Sequence, residues 1–166
     1  MPRWSDAYRL GLPDVDREHC GLFAALSDLS VAVVSEDWSA ARRILEVIPR
    51  DAVGHFRREE RLMRRAGYAG REWHARQHAT ARRRAAALIE AALSGGMPYC
   101  AAVLSYFRTW LPMHIALHDR MMAASVRNFR RSDPSGTRRL KWNGAAGTGL
   151  RPGGRRILRI RGPHSA

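Results

Sequence analysis

Apolar residues recur along this chain at intervals of three and four, and strand-like alternation is nearly absent. Such a period predicts amphipathic helices. The first is expected over 16–35, with Leu22, Phe23, Leu26, Leu29 and Val33 on one stripe. The second begins near Asp37 or Trp38 and carries Ile44, Leu45, Ile48, Ala52, Phe56 and Met63 before ending at Gly67. A glycine there suits a left-handed C-terminal cap. The third spans 71–93 and stops at Gly95-Gly96, while the fourth starts near Pro98, which a first turn accepts, and reaches about 130. Short connections make sequential helices antiparallel. The expected fold is therefore all-α, an up-down-up-down four-helix bundle behind an N-terminal arm. Pro49 and Pro112 fall inside the second and fourth helices, where each removes a hydrogen bond and should kink its helix.

The helical period stops at Ser132. The stretch 132–166 holds seven glycines and three prolines and has no sustained period, although ILRI at 157–160 could pair or dock. Too little apolar surface is available to offset the entropy of ordering it. The expected organisation is a bundle at 1–131 and a disordered basic tail at 132–166. Charge adds to that picture. The formal net charge is +14, and residues 1–131 carry 21 basic and 14 acidic groups against 8 and 1 in the remainder. A tail that basic admits nucleic acid or an acidic surface as a partner. The two cysteines, Cys20 and Cys100, form neither a metal-binding spacing nor a disulfide framework. With no apolar leader and no run long enough to cross a bilayer, a cytoplasmic monomer without membrane association is expected.

Seven histidines then change the question from fold to chemistry. His164 lies in the tail. His19 falls in the first helix, His55 in the second, His74 and His78 in the third, and His114 and His118 in the fourth. Each lies in line with its helix's apolar stripe. His55 and Glu59 share a face at a spacing of four, as do His74 and His78. A lone histidine on such a stripe is usually a satisfied core residue. Five or six, spread over every helix of one small bundle, would cost several kcal/mol to bury unpartnered, on the order of 2 or more each. Metal coordination removes that cost. Imidazole suits zinc, copper, iron and nickel, and five nitrogens exceed what one tetrahedral zinc uses. Two ions sharing carboxylates fit the number.

Those residues carry a resemblance. Trp4, Tyr8, Gly11 and the D-x-x-H of 16–19 are followed by HFRREERLM at 55–63, GY at 67–68, HARQH at 74–78 and WLPMHIALHD at 110–119. In that order and spacing, residues 4–125 resemble a bacterial hemerythrin-like domain. The resemblance implies a non-heme di-iron centre, oxo- or hydroxo-bridged. It places His74, His78 and His114 on one iron and His19 and His55 on the other, which keeps an open position, with Glu59 and Asp119 bridging. Glu60 is expected in solvent or behind a ligand, and the arginines at 57, 58, 61 and 64 on a solvated face. His114 and Asp119 are five apart, about 140° on an ideal helix, so a local widening is needed to bring Asp119 round.

The resemblance further implies reversible O2 binding for storage, delivery or sensing, without turnover. Leu22, Phe56, Trp110, Leu111 and Ile115 would form a dry O2 pocket. Where family members often carry an aromatic, three residues after the second histidine of the third helix, this chain has Ala81. That enlarges the cavity and should speed autoxidation. Two other function classes stay open: a di-iron enzyme reducing peroxide or nitric oxide, and an interaction module acting through the basic tail.

Overall fold

A computed structural model of the chain describes residues 3–133. Its helices are α1 (Pro13–Val34), α2 (Trp38–Ala66), α3 (Arg71–Gly95), α4 (Met97–His114) and α5 (Arg120–Ser132). A five-residue π-helical segment, Ile115–Asp119, joins α4 to α5. These three pieces form one rod, the fourth member of an up-down four-helix bundle. No strand occurs among the described residues. Helical structure reaches Ser132, and Asp133 is buried. The rest of the expected tail lies outside the described residues, as does the ILRI stretch.

Local chemistry sets the helix ends. Pro13 stands in the first turn of α1, three residues earlier than the apolar period suggests, where its fixed φ costs no hydrogen bond. Asp37 caps α2 by accepting the Ala40 N–H at 2.9 Å. At the other end Gly67 adopts φ +61°, and the N–H groups of Gly67 and Tyr68 donate to Arg64 and Met63. That is a glycine terminator closing the last carbonyls of α2. Gly96, at φ +80°, separates α3 from α4. Pro49 and Pro112 both lie inside helices that continue past them.

Consecutive helices pack side by side, and the fourth rod closes the ring against α1 and α2. Leu26, Leu29, Leu45, Ile48, Val103 and Met122 fill the interior. The N-terminal arm seals one end. Leu10 and Leu12 are buried, and the arm's backbone is pinned by Asp16, whose carboxylate accepts the N–H groups of Leu10, Gly11 and Leu12 at 2.8–3.2 Å. Trp4 meets Phe23 edge-on at 6.0 Å, and Tyr8 stacks on it at 5.0 Å. No described helix is long and apolar enough to cross a membrane.

Candidate metal centre

His55 and Glu59 project from one face of α2, a regular turn apart. His74 and His78 do the same from α3, and His19 comes from α1. The fourth rod needs the π segment. Widening to i→i+5 hydrogen bonding at Ile115–Asp119 brings Asp119 under His114 instead of about 140° away. All seven side chains are buried.

Their ligand atoms converge in two overlapping groups. Glu59, His74, His78, His114 and Asp119 form one, and His19, His55, Glu59 and Asp119 the other, with atoms in each lying within 4.8 Å of one another. The carboxylates stand between the groups. Asp119 Oδ1 lies 3.0 Å from His114 Nε2 and 3.1 Å from His74 Nε2, while its Oδ2 lies 3.3 Å from His19 Nε2. Glu59 Oε2 lies 3.2 Å from His78 Nε2, and its Oε1 turns toward His55 at 3.8 Å.

Nitrogens face nitrogens in the same way. His19 Nε2 and His55 Nε2 are 3.0 Å apart, and His114 Nε2 is 3.2 Å from both His74 Nε2 and His78 Nε2. Two nitrogens about 2.1 Å from a shared cation, at roughly 90–100°, sit about 3.0–3.2 Å apart. Neither oxygen of Glu59 nor of Asp119 receives an aligned hydrogen bond. Four such buried carboxylate oxygens would be costly in an apolar core, and cations among them remove that cost. The donor set fits a metal site.

Protonation follows the same crowding. Burial, then the nearby Asp119 charge, pushes the Glu59 carboxyl up. Burial also works against ionised Asp119, but His114, His19 and His74 around it hold that carboxyl well below the usual range. Two neighbouring carboxylates thus split, one favouring its proton and one its charge. His78 is pushed down to about 3 by burial and by the charges of His74 and His114. His55 goes the other way: burial opposes its charge, yet Glu59, Glu18 and Asp119 together raise it.

Behind the inward nitrogens lies a layer the sequence reading covered only in part. Glu18 Oε2 is 3.1 Å from His55 Nδ1, and its other oxygen accepts from Arg58 Nε at 2.6 Å. Arg58 therefore belongs to a chain reaching the centre, whereas Arg57, Arg61 and Arg64 are exposed. Glu60 Oε1 lies 3.3 Å from His78 Nδ1. His118 is not among the converging atoms. Its Nδ1 is 2.9 Å from His114 Nδ1, on the outer side of that ring, with Trp73 edge-on to it at 4.5 Å. If His114 turns its Nε2 lone pair inward, its Nδ1 carries the proton and donates to His118. Phe56 stacks on His78 (4.1 Å, 12°) and Trp110 on His114 (4.4 Å, 20°). Leu22, Phe56, Leu111 and Ile115 are buried and Trp110 half-buried. Cys20 is exposed, because its position next to His19 turns it off the inward face, to which a small packed residue would be expected to point.

Buried histidines and shared carboxylates inside an antiparallel bundle define a class of helical protein with an internal cation centre. The model of the family Hemerythrin, described as the Hemerythrin HHE cation binding domain, matches residues 10–126, and the chain belongs to that family. It is similar to a bacteriohemerythrin of Stenotrophomonas maltophilia (strain R551-3), at 27% identity over 137 residues that cover 80% of this chain and 89% of that protein.

Proposed function

We propose that this chain binds O2 reversibly at a di-iron centre, as an oxygen-holding rather than a turnover protein. The observation that carries this reading is the placing of Glu59 and Asp119 between a group of three histidines and a group of two. His74, His78 and His114 would hold one iron, and His19 and His55 the other, with Glu59 and Asp119 bridging. Five protein side chains would be available to the first iron and only four to the second, so a diatomic ligand would find its position on the iron at His19 and His55. The pair of ferrous ions, when bound, supplies the electrons that make O2 binding possible.

The protein's own part is to orient and to exclude. Glu18 and Glu60 fix the outward nitrogens of His55 and His78, which keeps their Nε2 atoms turned inward. His118 does so for His114. Leu22, one turn from His19, and Ile115, adjacent to His114, are buried apolar side chains that would hold water and charged reactants away from the open side. Leu22→Glu or Ile115→Glu should therefore abolish O2 binding while leaving two irons per chain. Iron analysis beside an optical spectrum checks both halves of that expectation. Zinc, or one metal ion per chain, in the protein as isolated would refute the reading.

A further inference from the structure

Two features of the sequence that the metal centre does not use meet in one place. Pro49 of α2 and Ala81 of α3 both line an apolar cavity of about 180 Å³ between those helices. Ala52, together with Ala85 one turn beyond Ala81, extends the wall, and Phe107 of α4 lines it as well. Four short side chains leave space that the helices cannot close by moving together, since neighbouring Ile48 and Phe56 are already packed in the core. The cavity follows from the alanines and the proline.

We propose that this cavity is a binding site for a small uncharged apolar molecule of about the size of benzene. Volume is the first argument. An enclosed apolar cavity of about 150 Å³ binds benzene, and this one, open at the rim formed by Arg82 and Ala86, has a similar volume of about 180 Å³. The lining is the second. Apart from Arg82 it consists of Ala, Ile, Val, Pro and Phe side chains, and Arg82 is exposed at the rim, where water solvates its charge. A ligand's polar group would find no partner deeper in, and burying it unpaired would be unfavourable. Position gives the site its interest. Phe56 forms part of the cavity wall and also stacks on His78 at 4.1 Å, so one ring separates an occupant from the metal centre.

Benzene titrated into the iron-loaded full chain tests this by two readouts, thermal unfolding followed by circular dichroism and ligand-observed NMR. Benzene should raise the unfolding midpoint by several degrees, as any ligand specific to the folded state does. Ala81→Phe fills the space and should weaken benzene binding at least tenfold, on the order of the loss expected for a blocked apolar site. Ala85→Leu, on the half-buried part of the wall, should do the same if Ala81→Phe fails to fold. Benzoate should bind at least tenfold more weakly than benzene, a difference of about 1.4 kcal/mol. Absence of any benzene response in the wild type, an unchanged response in both filled variants, or tighter binding of benzoate would overturn the proposal.

Discussion

His55 is drawn toward its protonated form and His78 is pushed away from it, although both rings are buried at one centre. The difference lies in what stands behind and around them. His55 has Glu59 before it and Glu18 behind it, with Arg58 closing a chain of charges out to the surface. His78 also has Glu59 before it and Glu60 behind it, but it sits among His74 and His114, whose positive charges oppose its own, under the face of Phe56. Around His55 the added charges are mostly negative, whereas around His78 two further imidazoles offset the carboxylates. Burial alone does not set the chemistry of a ligand. The sign comes from the charges that burial brings close.

A second contrast runs through the carboxylates. Glu59 reaches the centre from a regular turn of α2, and Asp119 from the π segment. Asp119 stands within 3.0–3.3 Å of three imidazoles, whereas Glu59 has one neighbour that close. Removing Asp119 should therefore do the most damage. Asp119→Ala is expected to leave fewer than two ions per chain in metal analysis, and Glu59→Ala to be the milder of the two. The opposite ranking would mean that the π segment does not serve to deliver a bridge.

Acid should separate the two sides next. A proton on an imidazole nitrogen excludes a cation from it, so the histidine with the raised pKa loses the competition at the higher pH. His55 is raised above its ordinary 6.5 and His78 is lowered to about 3. As pH falls, protons should compete for His55 already above 6.5 and for His78 only far below it, so an ion at His19 and His55 should leave before the one that His78 helps to hold. Metal analysis after stepwise acid dialysis should show a plateau near one ion per chain. Loss of both ions in a single step would contradict the contrast between the sides.

A smaller effect is expected at His118. His118→Ala removes the group behind His114 without touching the converging atoms. It should keep two ions at saturating iron but weaken one of them roughly 10–100-fold in competition with a chelator, the usual cost of losing an outer partner. Outright loss of an ion would make His118 a ligand itself.

What was legible in the sequence follows the helical period. His55 with Glu59, and His74 with His78, are readable because four residues make a turn, and the ends at Gly67 and Gly96 are readable because glycine admits positive φ. The pairing of His114 with Asp119 defeats that period. It came from the resemblance, and the π segment supplies its geometry. Glu18 could not be read as His55's partner, since the two meet only across α1 and α2, and spacing within one helix carries no record of the neighbour. Arg58 looks like its exposed neighbours for the same reason. Pro49 signals a broken hydrogen bond, but its place in a cavity wall depends on alanines supplied by another helix.

The central claim is that O2 is held and released at a di-iron centre made by these seven residues. The most direct measurement is a visible spectrum of the iron-loaded chain, reduced under argon, then exposed to O2 and returned to argon. The account predicts a nearly colourless reduced protein, an absorption that appears with O2, and its disappearance when O2 is removed, before autoxidation overtakes it. Passage straight to an oxidised form whose spectrum no longer responds to O2 would contradict it.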